Sequence, residues 1–94
     1  MTAKAALISA LLDGKVLNIK NGFELFGVTN LPREIGRSVE TEFGVTVSRV
    51  AMTGKSRYGQ SVNWVNYRLN KSAHNLKGIK KMKLYVKSQN KGAN

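Results

Sequence analysis

The hydrophobic periodicity of this sequence changes at Gly44. Before that glycine, apolar residues recur every three or four positions, which is the spacing of one face of a helix. After it, the segments 45–52 and 61–69 are rich in β-branched and aromatic residues that partly alternate with polar ones, which predicts two strands. A chain that forms helices first and a hairpin afterwards belongs to the α+β class.

Two helices are predicted before residue 27. The first spans residues 2–13, because Thr2 is a suitable N-cap and Gly14 can adopt the left-handed conformation that ends a helix. The second spans residues 19–26 and is capped by Asn18.

The second helix is expected to be short, because Gly22 in its interior costs about 1 kcal/mol relative to alanine. Its two phenylalanines, Phe23 and Phe26, are expected to point inward. The segment 15–19 between the first two helices has room only for a brief strand.

A third helix is predicted to begin near Asn30 and to end near Phe43. Thr29 or Asn30 caps it, and Pro32 lies in its first turn, where the missing N–H costs little. Gly36 in its interior indicates either a close approach to DNA or another helix, or an exposed position that tolerates glycine. Four apolar residues spaced four apart form the face that we expect to be buried: Leu31, Ile35, Val39 and Phe43.

Between the two predicted strands, residues 53–60 form a long basic hairpin tip with two glycines. Beyond residue 70 the sequence fits two structures. Residues 72–88 form either a helix with a lysine-rich outer face or a strand in which apolar residues alternate with lysines. We favour the helix, because the apolar pattern extends back to Leu76. Residues 90–94 are expected to be disordered.

Composition limits the class of protein. The chain has 94 residues, of which 41% are hydrophobic, so we expect one small domain without room for a large ligand cavity. It contains no cysteine, which excludes disulfides and thiolate zinc sites. No apolar run approaches the roughly 18 residues of a membrane span, and no cleavage site follows the apolar stretch 5–12. We therefore expect a cytoplasmic protein.

Positive charge dominates the composition. Sixteen Lys and Arg stand against five Asp and Glu, which gives a net charge of +11. From Lys71 to the last residue there are seven lysines and no acidic residue. Such a charge favours phosphate polymers or anionic membrane surfaces as partners. The tail lacks the bulky, cleanly separated apolar face of a membrane-surface helix, so we expect a nucleic acid and no membrane.

The predicted order of elements is helix, short strand, helix, helix, strand, basic turn and strand, which is the order of a winged helix. Residues 2–70 resemble the small winged helix-turn-helix domains of bacteriophages and prophages. Four stretches carry the resemblance: "ALISALLDGK" in the first helix, "ELFGVTNL" at the turn, "IGRSVETEFGV" in the third helix and its exit, and "NYRL" at the end of the second strand.

In that family the segment after the first helix pairs with the hairpin as a three-stranded sheet. The resemblance therefore implies a winged helix-turn-helix domain over residues 1–70, with a three-helix core and a β-hairpin wing. A basic, lysine-rich C-terminal helix and a disordered tail would follow over residues 71–94.

The third helix holds the first group of candidate DNA-binding residues. In a helix-turn-helix, the N-terminal half of the second helix of the pair faces base edges in the major groove. Arginine can bridge the O6 and N7 atoms of guanine, and asparagine suits adenine. The candidates are Thr29, Asn30, Arg33, Arg37, Ser38 and Thr41.

The hairpin tip and several lysines form two further groups. In a winged helix the tip lies on the sugar-phosphate backbone or in the minor groove, although a solvated polar loop would have the same composition. The candidates in the tip are Lys55, Ser56, Arg57 and Tyr58. The candidates for additional phosphate contacts are Lys20, Lys77, Lys80 and Lys81. Trp64 is expected to pack on the sheet rather than to stack on bases.

Catalysis is not supported by the sequence. It contains no general acid/base pair, no Ser-His-Asp set and no glycine-rich loop that would cradle phosphates. The single histidine, His74, has no neighbouring metal ligands in the sequence. We therefore expect no enzyme activity, no metal and no cofactor.

The leading hypothesis is a sequence-specific double-stranded DNA-binding protein of a bacterial cytoplasm or nucleoid. It would be a phage or prophage transcriptional regulator, or an accessory factor in recombination or excision. The alternatives are a phage-encoded winged-helix adaptor or inhibitor that binds a host protein, and a nonspecific nucleic-acid condenser.

One helix reads about 4–6 base pairs, which is too few for useful genomic specificity. We therefore expect a homodimer, tandem binding on repeated sites, or a host or phage partner protein. The apolar side of the predicted C-terminal helix is the candidate contact, although it could instead pack back onto the first helix: Leu76, Ile79, Met82 and Val86.

Overall fold

The computed structural model describes residues 2–92, with side chains as far as Gln89. Within those residues it is a small α+β domain of four helices and one antiparallel hairpin, an arrangement compatible with a winged helix. In chain order the elements are α1 (Ala3–Leu12), α2 (Ile19–Phe26), α3 (an α-helical turn, Leu31–Glu34, that continues as a π-helix, Ile35–Thr41), β1 (Val47–Lys55), β2 (Ser61–Leu69), a 3₁₀ turn (Ala73–Asn75) and α4 (Leu76–Gly92).

The predicted caps set the ends of the first three helices. The Thr2 hydroxyl accepts a hydrogen bond from the backbone N–H three residues on, at 3.1 Å. Asn18 and Asn21 form a capping box, in which each side-chain oxygen accepts from the other residue's backbone N–H at 2.9 and 2.8 Å. Of the two candidates for the third cap, Asn30 takes the role and accepts from the Arg33 N–H at 3.4 Å.

α3 changes from an α-helix to a π-helix after its first turn, where we expected a continuous α-helix. In an α-helix, each step of four residues turns the side chain about 40° further round the axis, so three steps would turn it by about 120°. A π-helix closes i→i+5 hydrogen bonds in wider turns, which offsets this rotation. The whole predicted apolar face is therefore buried: Leu31, Ile35, Val39 and Phe43.

α2 presents a different face to the core from the one that we expected. The prediction that Phe23 points inward is wrong, since its side chain is 59% exposed. α2 instead turns Gly22 towards α3, where an added Cβ would lie 3.3 Å from a methyl group of Leu31. Phe26, four residues further on, is half-buried against the core. Gly22 therefore allows α2 and α3 to pack closely.

The hairpin is longer than predicted at its tip. β1 extends to Lys55, so the predicted tip 53–60 is wrong in extent and the loop between the strands is 56–60. Gly54 lies inside the strand beneath Trp64, and an added Cβ would be 3.1 Å from the indole ring. The aromatic ring fills the space above the glycine, which explains why a glycine is accommodated here in a strand.

The hairpin also begins later than predicted. Val45 and Thr46 lie outside β1, because the Asn75 side chain binds both the N–H and the carbonyl of Thr46. The Asn75 side chain accepts from the Thr46 N–H at 2.9 Å and donates to the Thr46 carbonyl at 2.9 Å. It also donates to the carbonyl of Asn70 at 2.7 Å. Asn75 is buried, so these three hydrogen bonds fix the loop before β1 against the turn after β2.

The segment between α1 and α2 touches the sheet at one residue. Leu17 forms an isolated antiparallel bridge to Tyr67, with the two N–H···O bonds at 2.9 and 2.7 Å. The three-stranded sheet implied by the resemblance is therefore reduced to two strands and one bridge within the described residues.

The lysine-rich tail forms a helix, α4, as favoured over a strand. Its buried residues Ile79 and Met82 face the core, and the helix packs against α1. An added Cβ at Gly78 would lie 2.5 Å from the carbonyl oxygen of Phe43. The absence of a side chain at this position therefore allows α4 to approach the end of α3.

This packing corrects two expectations about the tail. The apolar side that was the candidate intermolecular contact instead packs within the chain, as in the alternative of a tail that packs onto the first helix; Leu76 is the exception, with its side chain 55% exposed. α4 also extends to Gly92 and so includes residues 90–92 of the stretch that we expected to be disordered. Residues 93 and 94 lie outside the described residues.

Candidate nucleic-acid interface

The net charge belongs entirely to the second part of the chain. Residues 1–42 contain five Lys and Arg and all five Asp and Glu, whereas residues 43–94 contain eleven Lys and Arg and no acidic residue. The three helices that hold the helix-turn-helix candidates are therefore close to neutral, and the hairpin and α4 carry the positive field.

The outer face of α3 carries three of the predicted residues in one row. Arg33, Arg37 and Thr41 are exposed and spaced four residues apart. The residues of the buried face have the same spacing. The π-helical segment keeps this outer row aligned for the same geometric reason that it keeps the buried row aligned. The structure thus brings the two arginines and the threonine together along one side of the helix.

Both arginines of this row lack ion pairs within the described part of the chain. The ion pairs there are Lys4 with Glu42 and Arg49 with Glu40. The acidic residues at the end of α3 are therefore paired with cations of other elements, and Arg33 and Arg37 keep their guanidinium groups available to a ligand.

Glu40 is held away from the arginine row by the base of the hairpin. It accepts two hydrogen bonds from the Arg49 guanidinium, at 2.6 and 3.1 Å, and a third from the Val47 N–H at 3.0 Å. The hydrogen bond from Arg49 lowers the pKa of the Glu40 carboxyl, and it raises the pKa of Arg49. The pair also joins the end of α3 to the start of β1.

Ser38, Asn30 and Thr29 are placed less simply than predicted. The Ser38 hydroxyl donates to the Glu34 carboxylate at 2.8 Å, so its proton is already used within α3. The side-chain oxygen of Asn30 caps the helix, which leaves its amide N–H groups for a ligand. Thr29 is exposed in the turn before the cap.

Gly36 lies between the two arginines of the row. An added Cβ there would meet no other atom within 4 Å, so the position is not in close contact with another part of the described chain. Close approach to another helix of the described chain is therefore excluded, whereas close approach to DNA and a tolerated glycine both stay open.

The hairpin tip presents three of its four predicted residues to solvent. Lys55, Arg57 and Tyr58 are exposed, and the Tyr58 side chain is 86% exposed. Ser56 instead orders the loop, because its hydroxyl accepts from the N–H groups of Tyr58 and Gln60 at 3.3 and 3.2 Å. The tip is thus a structured cationic loop with an aromatic ring at its end.

The hairpin lies beside the start of α3. A groove of about 520 Å³ separates them, with Pro32 on the helix side and Ala51, Thr53 and Val65 among the hairpin residues. The first turn of α3, at Pro32, and the hairpin therefore border one groove.

The other candidate phosphate contacts are all exposed lysines. Lys20 is exposed in the first turn of α2, and five lysines of α4 are exposed: Lys77, Lys80, Lys81, Lys83 and Lys87. The last two belong to the same surface as the predicted three. Leu84 is exposed among them, as its position off the apolar face predicts.

Sequence reasoning missed two side-chain arrangements that shape this surface. The Arg49–Glu40 pair joins two elements through residues that are nine positions apart in the sequence. Asn75 binds the backbone of Thr46, which is 29 positions away, and that of Asn70, which is five positions away. Neither contact has a signal in local periodicity. Only the four-residue spacing of Arg33, Arg37 and Thr41 was visible in the sequence.

Metal-binding clusters and unpartnered buried side-chain atoms are both absent from the part of the chain whose side chains are described. No three His, Asp or Glu side chains there are grouped to hold a metal ion. Every buried side-chain nitrogen or oxygen among residues 2–89 has a hydrogen-bond partner. None of the helices that the structure describes has the length and apolar character needed to cross a membrane.

Known proteins add no family to these observations. No family model matches the chain, and no curated protein and no solved structure matches it. The fold and the surface of α3 and the hairpin therefore stand on the sequence and the geometry of this chain alone.

Proposed function

We propose that this chain is a winged helix-turn-helix protein that binds double-stranded DNA in a sequence-specific manner. The observation that carries the proposal is the exposed row of Arg33, Arg37 and Thr41 on α3, with both arginines free of ion pairs in the described structure. α3 would enter the major groove, and its arginines would read guanine.

The hairpin and α4 would supply affinity rather than sequence readout. Arg57 and Lys55 at the tip would contact the backbone or a narrow minor groove next to the bases that α3 reads. The exposed lysines of α4 would contact phosphates further along the duplex. This division follows the charge of the chain, since residues 43–94 carry all of the net charge.

The resemblance of residues 2–70 to phage and prophage domains gives the proposal its biological class. The protein would be a transcriptional regulator, or an accessory factor in recombination or excision, in the cytoplasm or nucleoid of a bacterial host. It would act as a homodimer, in tandem on repeated sites or with a partner protein, because one α3 reads only about 4–6 base pairs.

The test is a selection of bound fragments from random duplex DNA, followed by substitution of Arg33 and Arg37 by alanine. Each bidentate arginine–guanine pair is worth about 1–3 kcal/mol of discrimination, so each variant should lose roughly 5- to 150-fold in affinity for the selected site. Arg68→Ala removes another exposed arginine, on β2, and serves as the matched control. Equal loss in all three variants, or no enriched sequence, would contradict sequence-specific reading by α3.

A second candidate function is an adaptor or inhibitor that binds a protein. The exposed apolar side chains of Ile19 and Val62, next to the half-buried Trp64, favour it. It predicts that the Arg33 and Arg37 variants keep their affinity for a protein ligand and that wild-type chain shows no preferred DNA sequence.

A further inference from the structure

β2 has an outer edge that is unpaired over most of its length. In an antiparallel ladder, residues that exchange hydrogen bonds with the partner strand alternate with residues whose backbone groups point away from it. Tyr67 belongs to the outward set, because its N–H and carbonyl bind Leu17 rather than β1. By the same alternation, the N–H and carbonyl groups of Ser61, Asn63 and Val65 also point to the outer edge.

The chain leaves this edge immediately after Leu17. Asn18 caps α2, and the helix turns away, so nothing continues the bridge along Val65 and Asn63. Among the backbone groups of residues 2–92 and the side chains of residues 2–89, none forms a hydrogen bond with the outward groups of Asn63 and Val65. A second extended segment would find the hydrogen-bonding pattern that Leu17 begins.

The two edges of the hairpin differ in how they are protected. On the outer edge of β1, the Val47 N–H donates to Glu40, and Arg49 and Lys55 are both charged. Charged side chains on an edge strand discourage the pairing of further strands. The outward residues of β2 from Ser61 to Val65 carry no charge, so this edge lacks that protection.

A groove of about 550 Å³ lies along this edge. Its lining residues come from the start of α2 and from β2: Asn18, Ile19, Lys20, Val62, Asn63 and Trp64. The side chains of Ile19 and Val62 are 54% and 40% exposed. Backbone groups for pairing and apolar side chains for packing are therefore next to each other, as in sites that bind a peptide by adding a strand to a sheet.

We propose that the outer edge of β2 binds an extended segment of a partner protein, in which apolar residues alternate with acidic ones. The apolar residues would pack against Ile19, Val62 and Trp64. Acidic residues match the surroundings, because the groove has Lys20 as its only charged residue and no acid lies beyond residue 42. A second copy of this chain carries the same charge of +11 and is disfavoured by it.

This inference goes beyond DNA binding and does not depend on it. The probe is a library of random decapeptides, selected on the full-length chain in the absence of DNA. We expect the enriched peptides to alternate apolar and acidic residues. A synthetic peptide of that sequence should shift the amide resonances of Asn63 and Val65 and slow their hydrogen exchange.

Asn63→Pro tests the geometry, since proline removes the outward N–H without removing a ladder hydrogen bond to β1. Asn63→Thr keeps the N–H and is the matched control. We expect about tenfold weaker peptide binding for Asn63→Pro and unchanged binding for Asn63→Thr. Peptides N-methylated only at the nitrogens that face β2 should fail to bind wild-type chain, which tests the same pairing without a protein variant.

Four results would overturn the proposal. Enriched peptides without acidic residues, or equal binding by both Asn63 variants and by the methylated peptides, would exclude acidic strand addition. A dimer in sedimentation that Asn63→Pro abolishes would make a second copy the occupant. If Asn63→Pro lost DNA affinity by the same factor as peptide affinity, and Asn63→Thr kept both, the edge would belong to the DNA surface.

Discussion

Gly78→Ala is expected to destabilise the protein, although alanine is the better helix former. An added Cβ at this position would lie 2.5 Å from the Phe43 carbonyl oxygen and would also overlap a methyl group of Val45. One of these neighbours is backbone and the other is the short side chain of a β-branched residue. Neither can move aside freely, so α4 must shift away from the end of α3.

Two opposing terms set the size of the effect. Alanine favours a helix over glycine by about 0.8–1 kcal/mol. Overpacking of this kind costs about 1–3 kcal/mol. The neighbours at Gly78 are rigid, which places the cost in the upper part of that range. The net loss of unfolding free energy should therefore be about 1–2 kcal/mol, or a fall in Tm of roughly 5–15 °C for a domain of this length.

Gly36→Ala is the matched control, because an added Cβ there meets no atom within 4 Å. It carries the same gain in helix propensity without the overlap, so it should stabilise the chain by up to about 1 kcal/mol. Urea denaturation followed by circular dichroism measures both variants. The reasoning is refuted if Gly78→Ala is as stable as wild type, or if the two variants shift the midpoint in the same direction.

Three further predictions concern one side chain or one surface each. Glu40→Gln should lower the unfolding free energy by about 1 kcal/mol at neutral pH. The folded-state pKa of Glu40 is lowered, so the difference in unfolding free energy between wild type and variant should vanish as the pH falls through that pKa. A difference that stays constant into the acid range would contradict this prediction. Asn75→Ala removes three hydrogen bonds between a buried side chain and the backbone of Thr46 and Asn70, and it should cost about 2–3 kcal/mol in the same assay. A loss below about 0.5 kcal/mol would refute the role given to Asn75. Replacing Lys77, Lys80 and Lys81 together by glutamine should reduce the slope of log K against log salt for DNA by about 2–3 while leaving the selected sequence unchanged; an unchanged slope would remove α4 from the interface.

Local signals were sufficient for the helices and their caps. Thr2, Asn18 and Asn30 each cap the helix that follows, because a side-chain oxygen at that position satisfies an N–H that the helix itself leaves unpaired. The choice of helix over strand for the tail was also possible from sequence, since its apolar spacing extended over more residues than a strand needs.

The failures came from contacts between distant residues. Phe23 is exposed because Gly22 takes its place against Leu31, and periodicity alone ranks a glycine below a phenylalanine as a core residue. β1 starts late because Asn75 binds the backbone of Thr46 from a position 29 residues away. In both cases a small or polar residue decides the packing, and hydrophobic patterns do not register such residues.

The π-helical segment of α3 links the hydrophobic pattern to the proposed function. A strict four-residue repeat drifts round an α-helix by about 40° per step, and the wider turns of a π-helix reduce this drift. The row from Leu31 to Phe43 is buried along a helix that contains such turns. Because the same backbone carries both faces, the core also aligns Arg33 and Arg37 outside. The row that would read DNA is therefore positioned by burial of the opposite face rather than by contacts of its own.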